Sequence, residues 1–355
     1  MSPSKPHPAV IPFLIGTYAG EQAESIHHCA LHTETGTLER TGGYKAGANP
    51  SFLAWHPSSA FLYAVNELNE GCVSVYRFNR TAGTLPLINR QPSHGMHPCH
   101  LCTDRSGRLL FAANYSSGTL AMYPVASDGT IGAASHIVQH AGHGPDPRRQ
   151  KGPHAHMVVT DPSDRFLLAC DLGLDSVIVY EIDRAAGKLT ARGKAMGPAG
   201  AGPRHLAFCA DGKTVCVINE LDPSVTFMAW DAAGGTLTAR DTAGLRYGDG
   251  QAMPSGAEIC VHPRTGLLYC SVRGFDAIVV CEVAGGGTAV KYRSHVSCGG
   301  RSPRHISIEP AGRYLLASNQ ESGNVVCFAI DRSTGALEKR GELIVREPVC
   351  VVYCL

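Results

Sequence analysis

A short apolar segment, FLYAVN at 61–66, returns in kind at 109–114 (LLFAAN), 166–171 (FLLACD), 214–219 (TVCVIN), 267–272 (LLYCSV) and 314–319 (YLLASN). A seventh run, FLIGTY, occupies 13–18. Each is followed by a second run (VSVYRF, LAMYPV, VIVYEI, VTFMAW, IVVCEV, VVCFAI and, near the start, IHHCAL). Most of these lead through a turn such as AGTLPL, AGKLTA, GGTLTA or TGALEK into a more polar stretch. Six copies are also preceded by a short strand with polar first residues: PSFLAWHP, PCHLCTD, HAHMVVTDP, PRHLAFCA, GAEICVHP and PRHISIEP. Aligned on Phe52, His100, His156, His205, Glu258 and His305, the copies stand 48, 56, 49, 53 and 47 residues apart. Four short strands in a unit of about fifty residues is the pattern of a propeller blade.

The first copy lacks its leading strand, and the C-terminus supplies one. EPVCVVYCL (Glu347 to Leu355) matches PRHISI, and no second run follows it. The last strand is therefore expected to complete the blade that the first residues begin, which leaves no long open edge between the termini. The expected fold is all-β: a single seven-bladed β-propeller over 11–355, closed by the C-terminal strand, behind a flexible N-terminus at 1–10. A pair of β-sandwiches would not explain why the two terminal pieces are complementary.

Charge and composition narrow the function. With 17% charged residues and a net charge of +1, the chain has no field to recruit nucleic acid or an anionic membrane. Its 40 glycines and 22 prolines belong between short elements. MSPSKPHPAVIPFLIG has no signal-peptide core, and no apolar run reaches membrane-spanning length. A cytoplasmic protein, monomeric or weakly dimeric, is expected. The 14 cysteines are scattered, and Cys170, Cys216, Cys270, Cys281 and Cys327 stand where strands take small apolar residues, so reduced structural thiols are expected. Cys99 and Cys102 form a C-x-x-C whose odd offset puts them on opposite strand faces.

In a propeller the first strand of each blade lines the channel. A hairpin places its leading end beside the trailing end of the second strand. One mouth of the ring should therefore gather His100, His156, His205, Glu258 and His305, with Arg204 and Arg304 one residue earlier and His154 two before His156. Glu67, Tyr115, Glu220, Arg273 and Gln320 come from the other side, each of the trailing asparagines Asn66, Asn114, Asn219 and Asn319 being placed to hold a turn. A histidine repeated across blades is also what a blade-to-blade hydrogen bond would require, and His100 reads as structural on that ground. His154, Arg204, Glu220 and Arg273 break the repeat's own average and read as functional. The loop HGPDPRRQKGP (His143 to Pro153) carries Arg148, Arg149 and Lys151, either as a solvated basic loop or as a rim attracting an anion. His154 and His156 have no third ligand at metal-binding spacing, so no metal or other cofactor is expected.

The ordered motifs IGTY, NPSFLAWHP, LYAVNE, NRQPS, HPCHL, ANYSSG, GPHAHM, DLGLDSV, GPRHLAF, VINELDPSVT, AEI, SVRGFDAI and SPRHISIEPAGRYLLASNQESGNV resemble the propeller-type lactonase family from about Ile11 to Leu355. The likeness is strongest to its bacterial 6-phosphogluconolactonase branch and extends to a fungal carboxymuconate lactonizing enzyme. The resemblance implies a small anionic lactone as substrate and catalytic roles for His154, Arg204, Glu220 and Arg273. Where the family pattern reads SNRG this chain reads SVRG, so Val272 removes a polar group beside Arg273. His156, His205, Glu258, Arg304, His305, Tyr115 and Glu67 are the expected substrate-binding residues. On this reading His154 is the general base, oriented or recharged by Glu220, with Arg204 or Arg273 at the developing oxyanion. The absence of G-x-S-x-G from the sequence argues against a serine nucleophile. A lactonizing cycloisomerase and a non-enzymatic protein-binding propeller are the alternatives. The second predicts an aromatic rim, whereas Trp55 and Trp230 both fall within strand segments.

Overall fold

The computed structural model describes residues 8–245, 253–284 and 289–354. It has twenty-eight strands, β1 to β28 in chain order, in seven four-stranded antiparallel sheets. Six sheets are meanders of consecutive strands; blade two, for example, runs β4 (Phe52–Trp55), β5 (Phe61–Asn66), β6 (Cys72–Arg77), β7 (Leu87–Pro92). Blades three to seven open with β8 (Pro98–Thr103), β12 (Ala155–Thr160), β16 (Pro203–Phe208), β20 (Ser255–Val261) and β24 (Pro303–Ile308).

Blade one joins the two ends of the chain. Its order is β28 (Pro348–Tyr353), β1 (Val10–Thr17), β2 (Ile26–His32), β3 (Thr37–Tyr44). Phe13 faces Tyr353, Ile15 faces Val351 and Gly16 faces Cys350. The seven-bladed ring is thus closed as the complementary terminal motifs imply. Of the leading residues 1–10, the first seven lie outside the described residues. The Thr33 hydroxyl and N–H donate to the carbonyls of Pro8 and Ala9, and Val10 already belongs to β1.

The repeated apolar runs are second strands, and the reason is packing. Each blade is covered on both faces by its neighbours, so its second strand has no solvent side. Every residue of β5, β9 (Leu109–Asn114), β13 (Phe166–Asp171), β17 (Thr214–Asn219) and β25 (Tyr314–Asn319) is buried. Between blades two and three, Tyr63, Val65 and Val75 pack with Leu101, Leu110 and Tyr123. Burying each such side chain contributes about 2 kcal/mol. The outermost strands are mostly exposed and rich in charge, as in LEKRGELI of β27 (Leu337–Ile344), which keeps the seven outer edges from pairing with other chains.

The leading ends of six innermost strands carry a β-bulge, at Pro98/His100, Ala155/Met157, Pro203/His205, Gly256/Ile259, Pro303/His305 and in β28 opposite Gly16/Thr17. A bulge sets two consecutive residues against one and so re-aims a side chain. Arg204 and His205, which simple alternation would send to opposite faces, therefore both make their contacts at the channel. The registers also correct the repeat alignment in blade four. Met157 pairs with Cys170 as His100 pairs with Ala113 and His205 with Ile218, so Met157, not His156, is their counterpart. His156 occupies the bulge, the place taken by Cys99, Arg204 and Arg304 in other blades.

Candidate active site

The bulges sort the axial residues into tiers. The lower tier plugs the channel with Phe52, His100, Met157, His205, Glu258, His305 and Cys350. Its rings are in contact: Phe52 and His100 have centroids 4.0 Å apart, and His100 and His205 5.2 Å. His205 Nδ1 lies 2.8 Å from Glu258 Oε1, and His305 Nε2 lies 3.6 Å from Glu258 Oε2. The Val351 N–H donates to His305 Nδ1, which leaves the proton of a neutral ring on Nε2, facing Glu258. Burial, reinforced by neighbouring Arg204, holds His205 well below the usual imidazole range and brings His305 down to about 4. Burial pushes Glu258 up, against the pull of His305 and Arg204.

Above this plug lies a cavity of about 290 Å³ lined by Tyr18, Glu67, Cys99, Tyr115, Arg149, His156, Glu220, Arg273 and Arg304. Glu220 is its electrostatic centre. The Arg149 Nη2 group donates to Glu220 Oε1 at 2.6 Å, while Arg204 Nε and Arg273 Nη2 reach Oε2 at 3.1 and 3.0 Å. Burial works to raise the Glu220 pKa, but Arg273, Arg204 and Arg149 together outweigh it and hold the carboxyl at about 2. Arg204, with a side chain only 3% exposed, sits behind Glu220 and also donates to the Ala257 carbonyl. Burial, with Arg273 and Arg304 close by, lowers it to about 10. Arg273 also donates to the Gly256 carbonyl at 3.2 Å, and its buried Nε–H has no hydrogen-bond partner among the described residues. Val272 is fully buried in the core between blades five and six, so Glu220 and a backbone carbonyl, not the preceding side chain, orient Arg273.

The opposite wall is a second cluster. The Tyr18 hydroxyl donates to Glu67 Oε2 at 2.8 Å, and the Arg304 guanidinium lies over the Tyr18 ring at 5.3 Å. Arg304 Nη2 is 3.9 Å from Glu67, too long for a hydrogen bond. Its guanidinium lines the cavity without a hydrogen bond to Glu67. Burial opposes the charge on Arg304, and Tyr18, Glu67 and Glu220 more than restore it.

The two histidines of the H-A-H motif occupy different levels. His156 is in the cavity wall. Burial, with Arg204, His205, Arg304 and Arg273 around it, keeps it neutral, and its buried Nδ1 has no partner among the described residues. His154 stands above it, half-buried, stacked on Tyr115 with ring centroids 4.6 Å apart. Its Nδ1 is 3.0 Å from the Tyr115 carbonyl oxygen. A carbonyl only accepts, so Nδ1 carries a proton, and in the neutral ring Nε2 presents a lone pair. The backbone N–H of His154 donates to Asp171 Oδ1 at 2.8 Å, and His140 Nδ1 lies 2.6 Å from Asp171 Oδ2. Glu220 does not contact His154, so the structure gives that histidine Tyr115 and Asp171 as its orienting groups in place of the expected carboxylate.

The structure thus brings Glu220, Arg273, Arg304, Glu67, Tyr115 and His156 together on one cavity and places Arg204 directly behind it, while His154 is not among the lining residues and stacks on the wall residue Tyr115. His205, Glu258 and His305 lie one tier beneath, within the plug. Three wall residues, Tyr18, Cys99 and Arg149, were not assigned to the site from sequence. Tyr18 follows β1, whose innermost partner strand comes from the far end of the chain. Arg149 comes from the basic loop, where the alternative of an anion-attracting rim was the available signal. Three of the four asparagines hold loops through backbone carbonyls: Asn66 Nδ2 donates to Ala46 and Ala48, Asn114 Nδ2 to Ser93 and Asn319 Nδ2 to Cys298, whereas Asn219 Nδ2 donates to the hydroxyls of Ser224 and Thr226.

A closed ring of seven blades with a polar bowl at one mouth defines the class. The profile of the family described as lactonase, 7-bladed beta-propeller spans residues 12–353, and the chain belongs to that family. Its named relatives are specific. A 6-phosphogluconolactonase from Bacillus subtilis is 31% identical over 341 residues, covering 96% of this chain and 97% of its own. One from Formosa agariphila is 30% identical over 334 residues, covering 92% and 94%. Among solved structures, the periplasmic gluconolactonase PpgL of Pseudomonas aeruginosa superposes with a TM-score of 0.89 at 28% identity, covering 97% of this chain and 99% of that one. No helix among the described residues is long and apolar enough to cross a membrane.

Proposed function

We propose that the bowl hydrolyses a phosphorylated sugar lactone, with 6-phosphogluconolactone as substrate and 6-phosphogluconate, an intermediate of the pentose phosphate pathway, as product. The observation that carries this reading is the charge of the cavity wall. Three guanidiniums, Arg149, Arg273 and Arg304, face two carboxylates, Glu67 and Glu220, and Arg204 adds a further positive charge from behind. A low-dielectric concavity of that sign attracts and orients an anion. A substrate that is charged and retained inside cells goes with a cytoplasmic enzyme.

Three tasks have candidates. His154 Nε2, with its tautomer fixed by Tyr115, takes a proton from the attacking water; a positioned base contributes about 10²–10⁴-fold. Arg273, whose guanidinium lines the cavity with its side chain 17% exposed, supplies a donor to the carbonyl oxygen as it becomes an oxyanion, worth about 3 kcal/mol by analogy with single oxyanion donors. Arg304 grips the phosphate, for which a planar guanidinium fork is suited. Arg204 acts through Glu220 and is a positioning residue. Glu220, held ionised, is a clamp on three arginines and not a proton donor. Collapse of the oxyanion breaks the ring C–O bond, and the leaving alkoxide takes the proton held by His154.

The test is pH-stat titration of 6-phosphogluconolactone by the purified protein. Release of one carboxylic acid proton per lactone consumed, above the spontaneous rate, is the expected result. No acceleration with this lactone, together with cyclisation of a carboxylated muconate, would replace the reading with that of a lactonizing cycloisomerase.

A further inference from the structure

Blade five carries a pair of thiols that the lactonase site does not use. Cys209 lies just past the trailing end of β16, and Cys216 lies on β17. Arg204 marks the mouth end of β16, so this hairpin turn is on the opposite face of the ring. The backbone closes tightly there: the Cys209 N–H donates to the Thr214 carbonyl at 2.8 Å and the Gly212 N–H to the Cys209 carbonyl at 3.0 Å. Cys216 pairs with Ala207 across the strands, which puts Cys209, two residues on, diagonally beside it on the same face. The two sulfurs are 3.5 Å apart. Among the described residues this is the one recorded thiol–thiol contact, although the chain has 14 cysteines.

The two thiols differ in access. Cys216 is fully buried in the core between blades five and six, with Cys270 and Cys281. Cys209 is partly exposed and lines an open cavity of about 330 Å³ bounded by Asp211, Leu267, Glu282, Arg293 and Ser333. A small reagent can reach one sulfur while the second is held against it. We propose that Cys209 and Cys216 are an oxidisable dithiol, which a peroxide converts to an intramolecular disulfide. Sulfur–sulfur contact with one thiol accessible is the arrangement of an attacking and a resolving cysteine. Bringing the sulfurs from 3.5 Å to bonding distance, about 2.05 Å, draws together a diagonal pair beside the hairpin turn of a single blade.

Acidity agrees with the assignment of roles. The thiol–thiol hydrogen bond lowers the pKa of Cys209, whereas the same bond and burial raise Cys216. The other cysteines are pushed up by burial, Cys72, Cys281 and Cys298 among them. The chemistry balances. The Cys209 thiolate attacks one peroxide oxygen, the O–O bond breaks, and Cys209 becomes a sulfenic acid as hydroxide or alkoxide leaves. The Cys216 sulfur, giving up its proton, then attacks the Cys209 sulfur, and the S–O bond breaks with loss of water. Two thiols are oxidised by two electrons and one peroxide is reduced.

Trypsin gives a direct readout, because Lys213 lies between the two cysteines. Cleavage after Arg204, Lys213 and Arg240 places Cys209 alone in peptide 205–213 and Cys216 alone in peptide 214–240. The reduced protein is treated with a few equivalents of hydrogen peroxide, alkylated under denaturing conditions and digested without reductant. The expected result is peptide 205–213 disulfide-linked to 214–240, before any other cysteine is modified, and separation of the two by dithiothreitol. In Cys216→Ala the same dose should leave Cys209 as a sulfenic acid captured by dimedone on peptide 205–213. Recovery of wild-type peptide 205–213 as an alkylated thiol or a sulfinic acid, with no linked partner, overturns the proposal. So does earlier oxidation at another cysteine.

Discussion

Arg204 donates its Nε–H to Glu220 across 3.1 Å, with both side chains buried, and that contact anchors the polar wall of the bowl. Removing one partner of a buried ion pair leaves the other charge uncompensated. In Glu220→Gln three guanidiniums lose their shared counter-charge. The variant should be destabilised by about 3 kcal/mol, read as a lowered urea midpoint at neutral pH. The sign with pH follows from the carboxyl's position at about 2, against an ordinary value of 4.5. Its stabilisation is fully present above 4.5 and is lost as pH falls toward 2, so the gap between wild type and variant should close over that window.

The histidines of the channel plug, with His156 of the cavity wall above it, predict a second acid transition at higher pH. His100, His156 and His205 are held well below the ordinary imidazole value of 6.5, in each case by burial first, and His305 sits at about 4. Unfolding lets all four bind protons, so stability rises with pH between about 4 and 6.5 and is lost as pH falls through that range. Each histidine contributes a slope of up to about 1.4 kcal/mol per pH unit. Glu258, pushed up by burial, works in the opposite direction, since its contribution is present below 4.5 and lost as pH rises. Denaturant titrations at several pH values should show the steep dependence, and His100→Gln should reduce it by about one proton's worth.

His154→Ala should lower kcat by about 10²–10⁴-fold while the unfolding transition is retained, because the ring is half-buried and packs chiefly on Tyr115. Initial rates together with a melting curve check this. Full activity in a folded His154→Ala protein would remove the base from the mechanism.

Ring closure makes its own prediction. A chain ending at Arg346 lacks β28 and exposes the inner edge of β1, including the groups that Phe13, Ile15 and Gly16 pair with Tyr353, Val351 and Cys350. It should lose its cooperative unfolding transition, and a separate peptide 347–355 should restore part of it. Differential scanning calorimetry reads both outcomes.

The fold was legible because packing rewrites itself in every blade. FLYAVN and its counterparts are apolar at most positions since each is sandwiched between neighbours, and EPVCVVYCL betrays the closure by matching the leading strand that the first copy lacks. The site was legible only in part, for a reason visible in the backbone. The bulges insert a residue that an ungapped alignment cannot see, so His156 was matched to His100 and His205 when its counterparts are Cys99, Arg204 and Arg304. Depth was equally hidden. His205 and Arg204 are adjacent in sequence, yet one belongs to the plug and the other backs the cavity wall. Tyr18 and Arg149 reach the bowl through chain closure and through a loop, neither of which follows the repeat.

The central claim is that this bowl reads an anionic lactone, and Arg304, whose guanidinium faces the cavity with no hydrogen bond to Glu67, tests it most directly. The measurement is kcat/KM for 6-phosphogluconolactone and for unphosphorylated gluconolactone, in wild type and in Arg304→Met. The account predicts that wild type favours the phosphorylated lactone and that the variant loses about ten- to a hundredfold on that compound alone, as expected for one charged hydrogen-bonding group. Equal turnover of the two lactones by wild type, or an equal loss on both in the variant, would contradict it.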